Sequence, residues 1–333
     1  LIRLRLTAED LARIQVASTL GPFAEAFWAA ELIRRRSPGP AHHLWRQGLH
    51  GQLNGDTRAL AAFFPVAAPP LDLPTLVGRV HRIDEGTEAL MSLGRQHLRD
   101  EIAWLSRHQP LIAWPWTRLD TDLDLRRQLG AAISSFHAVA VAPHWARMSA
   151  FLHAEQARQI RHMATAGIEE FLARLCPPLI RWRAPVLEIE RGSGQQEQSL
   201  RGRGLVIVPS VFCGPGPCLS YDLADADAPL ILVYPALRDP SAAARLWTGK
   251  ADGDALADLL GRTRSATLAA IVDGCGTVEL ALRVGISPAA ASQHTAVLRR
   301  AGLITTHREG SGVLHVLTAL GTDLLNGQQS GAA

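Results

Sequence analysis

Apolar and basic residues alternate from Leu1 to Leu6, the period of a strand. Thr7, followed by Ala8-Glu9-Asp10 and an apolar-periodic run, has the form of an N-cap with acids in the first helical turn. Pro22-Phe23 opens a helix that runs to Arg34-Arg35-Arg36 and stops at Ser37-Pro38-Gly39-Pro40. Helical periodicity recurs near 41–53, 57–64, 74–83, 87–108, 121–141 and 143–175. Near residue 185 the period changes. Pro185 to Glu190 alternates like a strand, and Leu205–Val208 and Leu230–Tyr234 are short, β-branched apolar runs suited to buried strands of a small sheet. Arg191–Gly204, rich in Gly and Gln, predicts a mobile loop. A polar stretch over Thr248–Gly253 precedes a final helical pattern. The reading is α+β. An N-terminal effector or dimerisation domain covers 1–247, helical to residue 180 with a small sheet over 185–236, and a second domain covers 252–326.

The second domain is read as a winged helix-turn-helix. Asp254–Val272 predicts one amphipathic helix with Leu256, Leu259, Leu260, Leu268 and Ile271 on one side. Thr277–Val284 is a short helix, and Gly285 suits the positive φ of a tight turn. Ser287-Pro288 opens the next helix, which ends at Ala301-Gly302. On that helix Ala290, Ala291, His294, Val297 and Leu298 predict the inward face, and Ala289, Ser292, Gln293, Ala296 and Arg300 the outward one. Gln293 can pair with adenine, Ser292 with several base edges, and the alanine methyls can meet thymine. Ser287 and the free N–H groups at the helix start suit a phosphate. Leu303–Arg308 and Gly312–Thr318 predict two strands around a Glu309-Gly310-Ser311 turn, and Ala319–Leu325 a closing helix. The candidate DNA contacts are Thr277, Ser287, Ala289, Ser292, Gln293, His294, Ala296, Arg300, His307, Arg308 and Ser311, with His294 counted in both sets.

Glu279-Leu280-Ala281, Gly285-Ile286-Ser287, Ser292-Gln293-His294, Leu298 and Ala301-Gly302-Leu303 resemble the winged helices of ArsR-type bacterial repressors. The resemblance covers the last quarter of the chain. It extends more weakly to actinobacterial regulators of that type with a long extra N-terminal domain. It implies a homodimer on an inverted-repeat DNA operator and a recognition helix starting at Ser287. Small metal-sensing members carry a Cys-x-Cys pair near the first helix, where this chain has Glu279-Leu280-Ala281-Leu282-Arg283-Val284. Cys275 alone does not supply the converging ligands that a thiolate metal site needs, so no metal is expected.

Charge sharpens this picture. The net charge of +3 is too small to announce a nucleic-acid binder. Residues 283–315, however, carry Arg283, Arg299, Arg300 and Arg308 against Glu309, a local excess of the same size. Lys250 is the sole lysine, as a GC-rich genome explains. The start of the chain lacks the layout of a signal peptide, and no apolar run suggests a membrane span, so a cytoplasmic location is expected.

The remaining candidates are weaker. Trp104, Trp114, Trp116, Phe136 and Trp145 could line a small-molecule effector pocket, against the plainer reading of helix packing. Cys213 and Cys218, separated by the four residues Gly214-Pro215-Gly216-Pro217, could form a redox-sensing disulfide. A buried Cys213 ending a strand is the preferred alternative, because cytosolic disulfides are uncommon. His42-His43 with His50 reads as a solvated face. An enzyme using the winged helix only to dimerise is disfavoured. Gly202-Arg203-Gly204 precedes a strand where a dinucleotide cradle follows one, and Gly-x-Ser-x-Gly and His-Glu-x-x-His are both absent. No cofactor is expected. The expected protein is a ligand-responsive repressor and not an enzyme.

Overall fold

The computed structural model describes residues 1–34, 39–49, 51–53, 60–64, 71–108, 115–190, 196–214, 216–221, 225, 227–248, 255–271, 274–309 and 312–330. It is a mixed α+β structure with several small sheets. It divides into two compact units, Leu1–Thr248 and Gly249–Ala333.

The first unit opens with β1 (Ile2–Arg5), α1 (Ala8–Ala12) and β2 (Ile14–Val16). Thr7 caps α1 in a reciprocal box with Asp10, as its sequence position predicts. Helices follow: α2 (Pro22–Arg34), α3 (His43–Gly48), α4 (Leu73–Val77), α5 (Ile83–Ser92), α6 (Arg95–His108), α7 (Leu123–Ala140), α8 (Trp145–Ala166) and α9 (Ile168–Ala173). The periodic stretch over 87–108 is thus broken at Leu93-Gly94, and that over 143–175 at Gly167. Strands β3 (Ile180–Arg183), β4 (Val186–Ile189), β5 (Gln196–Ser199), β6 (Leu205–Ser210), β7 (Cys218–Ser220) and β8 (Leu230–Pro235) come next, and α10 (Pro240–Thr248) closes the unit.

These strands correct the expectation of one small sheet over 185–236. There are two four-stranded sheets, ordered β3-β4-β1-β5 and β2-β6-β8-β7, and both recruit a strand from the N-terminus. The expected mobile loop over 191–204 contains β5, which pairs in parallel with β1; residues 191–195 of that loop lie outside the described residues. Gln196-Glu197-Gln198-Ser199 has no apolar side chain to announce it, and edge pairing is carried by the backbone.

The second sheet is buried on both faces, as its continuous apolar runs require. Leu205, Ile207, Leu230, Leu232 and Tyr234 pack with Ile2, Leu4 and Phe171 in a core shared with the first sheet. Val208 and Val233, pointing the other way, join Phe23, Phe27, Trp116 and Phe136 of the helical core.

The second unit comprises α11 (Ala255–Leu260), α12 (Arg262–Ala269), α13 (Thr277–Val284), α14 (Pro288–Arg300), the antiparallel pair β9 (Ile304–Glu309) and β10 (Gly312–Leu317), and α15 (Ala319–Ser330). The single helix expected over 254–272 is two helices, because Gly261 stands between them at φ +84°. Leu256, Leu268 and Ile271 enter the core, whereas Leu259, expected beside them, is 72% exposed. Among the described residues no helix is long and apolar enough to cross a membrane.

Candidate nucleic-acid interface

The α13–α14 corner follows from its residues. Gly285 ends α13 in the left-handed region at φ +72°, and the N–H of Ile286 returns to the carbonyl of Ala281. Ser287 then accepts the N–H of Ala290 through Oγ at 3.2 Å, with Pro288 in the first turn. Ala291, Thr295 and Leu298 form the buried face of α14. Thr295 was missing from the inward set predicted by sequence, and its hydroxyl is satisfied by the carbonyl of Ser292 at 3.1 Å. His294 is half-buried, as are Ala290, Ala296 and Val297. Ala289, Ser292, Gln293, Arg299 and Arg300 are exposed.

Three residues separate the end of α14 from the hairpin, in which His315 stands opposite Thr306 and Val313 opposite Arg308. His307 and Arg308 are exposed, and Nε2 of His307 lies 3.2 Å from Oγ1 of Thr305. Ser311 lies outside the described residues. The charge of the region is redistributed by one ion pair. Arg283 meets Glu279 at 2.5 Å and donates to the carbonyl of Ala270 at 2.9 Å, so its charge is largely spent within the unit. Arg299, Arg300 and Arg308 form no ion pair among the described residues. Arg262 and Arg264 on α12 are likewise exposed and outside any ion pair among the described residues.

Thr277 is the exception among the candidate contacts. Its Oγ1 lies 3.0 Å from Nε2 of His315, a buried residue absent from the candidates. The available signal was a histidine at every-other-residue spacing between Val313 and Leu317 in a strand.

In the first unit the aromatic candidates belong to the core. Trp116 is fully buried against Phe27, Phe63 and Phe64, with ring centroids 6.2, 5.6 and 5.9 Å away. Phe136 is buried in the same core, and Trp104 and Trp145 pack half-buried against it. Trp114 lies outside the described residues. The solvated face expected around His42 is corrected. His42 is buried among Trp45, Phe212 and Trp247, with Nε2 2.8 Å from the carbonyl of Val211, while His43 is exposed. His50 lies outside the described residues.

The thiols of Cys213 and Cys218 are brought beside one residue. Cys213 Sγ is 3.9 Å from the carbonyl of Val233, and Cys218 stands opposite Val233 in the β7–β8 register. Cys275 is buried, and burial pushes its thiol up. Among the described residues no group of three or more His, Cys, Asp or Glu is placed to hold a metal ion. No family model, curated protein or solved structure matches the chain.

Proposed function

We propose that this protein is a sequence-specific DNA-binding transcriptional regulator whose second unit works as a winged helix-turn-helix. One observation carries the reading. A Ser-capped helix with an exposed face of Ala289, Ser292, Gln293 and Arg300 is followed at once by a hairpin bearing Arg308. Small and hydrogen-bonding side chains on α14 suit the major groove, and the uncommitted arginines suit phosphates. Leu259 on α11 and Leu320 on α15, 72% and 58% exposed on helices that pack together, support a homodimer on an inverted repeat. We assign the signal to the first unit, where a small molecule would act only through different affinities for DNA-competent and DNA-incompetent states. Release of a repressor is the expected sign.

Footprinting and mobility-shift titrations on the protein's own upstream region test this. Gln293→Ala is expected to cost about 1–3 kcal/mol on the operator and to relax base preference at one position. Arg308→Ala is expected to weaken all duplexes alike and to lower the salt slope by about 1. Unchanged operator affinity in both variants would remove these assignments.

The placement of Cys213 and Cys218 against Val233 favours a second reading, in which DNA affinity responds to thiol oxidation. If so, oxidised and reduced protein differ in affinity and Cys213→Ser abolishes the difference. Equal affinities in the wild type dispose of it.

A further inference from the structure

The wing is a two-stranded hairpin, and such hairpins hold no fixed attitude by themselves. Phosphate contacts at its tip therefore depend on what anchors its base. Its base is held by Leu303, Ile304 and Leu317 in the core, and a second anchor, nearer the tip, runs through His315, which is 4% exposed. Its Nδ1 lies 2.9 Å from Oγ1 of Thr306, directly opposite on β9. Its Nε2 lies 3.0 Å from Oγ1 of Thr277, the first residue of α13. The backbone repeats the link. The N–H of Cys275 donates to the carbonyl of His315 at 3.2 Å, and the N–H of His315 donates to the carbonyl of Cys275 at 2.9 Å. The turn before α13 is thereby joined to β10 by one isolated antiparallel bridge, Cys275 opposite His315.

A neutral imidazole offers one donor and one acceptor, and a threonine hydroxyl can take either role, so both side-chain bonds form in either tautomer. Burial, with the Arg299 guanidinium second, holds the imidazole below its ordinary range, which keeps it neutral near pH 7. Packing alone does not call for this residue, since an apolar side chain fills such a space without needing two polar partners.

We propose that His315 is a positioning residue: by tying Thr277 of α13 to Thr306 of β9, it sets the angle at which His307 and Arg308 meet the DNA backbone. The proposal rests on the DNA-binding reading above. It also removes the Thr277 hydroxyl from the direct contacts and gives it an indirect role.

Two substitutions separate the two side-chain bonds. An asparagine amide reaches roughly the place of Nδ1, and a glutamine amide that of Nε2. His315→Asn therefore keeps the bond within the hairpin and drops the one to α13, whereas His315→Gln keeps the bond to α13. The full-length protein is titrated with a mixed-sequence duplex at several salt concentrations. His315→Asn and Thr277→Val are each expected to weaken binding about 5- to 20-fold and to lower the salt slope by about 1, as Arg308→Ala does. Combining the two should be no worse than either alone, because both remove one bond. His315→Gln should restore most of the affinity and the slope. Hydrogen exchange over 304–317 should quicken in His315→Asn and Thr277→Val while α12 and α14 of the same unit keep their protection, which separates a loosened hairpin from an unfolded unit. Wild-type affinity and slope in both His315→Asn and Thr277→Val would overturn the proposal. Absence of salt-dependent duplex binding by the wild type would instead overturn the DNA-binding reading beneath it.

Discussion

Between pH 4.5 and about 7 the first unit is expected to lose about 3 kcal/mol of stability as pH rises, through one carboxyl group. Glu25 lies on α2 with no exposed surface. Ser210 Oγ and the N–H of Phe212 donate to its Oε2 at 3.1 Å each, and the N–H of Val211 donates to its Oε1 at 3.3 Å. These donors favour the anion, but loss of hydration outweighs them and pushes the group up to about 7. The folded chain then holds a proton that the unfolded chain releases near 4.5. Folding therefore binds protons across this window: the contribution is complete below pH 4.5 and gone above about 7. Asp10 and Glu155 titrate the other way. Hydrogen bonds hold Asp10 below its ordinary value despite burial, and Arg158 does the same for Glu155, so their stability is lost only as pH falls through the acid range. From about pH 5 to about pH 8 the urea midpoint of the wild type should fall relative to that of Glu25→Gln, in which His137 and His144, held below their ordinary value by burial, add stability as pH rises. A wild-type pH dependence matching that of Glu25→Gln would show that Glu25 is ionised throughout.

The same carboxyl group shows where the sequence is hard to read. Glu25 sits in the apolar first half of α2, and its partners lie about 185 positions away, at the exit of β6. Nothing local to either segment announces that pairing. Elements whose cause is local were legible: the Thr7 cap, the Ser287-Pro288 start, the left-handed Gly285, and the doubly buried runs of β6 and β8. The two-sheet arrangement was not, because β2 is three residues long and β5 is polar throughout. Both exist through backbone pairing to distant strands. On α14 the apolar period marked Ala291 and Leu298 but not Thr295, whose methyl packs inward while its hydroxyl bonds the preceding turn. His315 escaped for the related reason that a lone strand histidine reads as surface until both of its partners are in place.

Asp10→Ala is expected to destabilise the first unit by about 3–5 kcal/mol. The chain crosses between the two sheets twice along parallel routes, from β1 through α1 to β2 and from β5 through a turn to β6. Asp10 staples the crossings together. Its Oδ1 accepts the N–H of Gly202 at 2.8 Å and of Gly204 at 3.2 Å, both on the β5–β6 turn. Its Oδ2 accepts the N–H and the hydroxyl of Thr7 at 2.8 and 2.7 Å. Gly202 and Gly204 thus serve a carboxylate of the protein itself, where a sequence reading had to ask whether they cradled a phosphate. Alanine removes the acceptor from four donors. The two glycine N–H groups are buried and cost about 1–2 kcal/mol each when left unpaired, and the lost half of the capping box adds about 1 kcal/mol. For a unit of 248 residues this corresponds to a fall of roughly 10 °C in the midpoint of its thermal transition. Asp10→Asn keeps one acceptor oxygen and should fall between the two. The second unit shares none of these bonds, so in calorimetry only the transition of the first unit should move. A shift below about 2 °C in Asp10→Ala would mean that water reaches the turn and replaces the carboxylate.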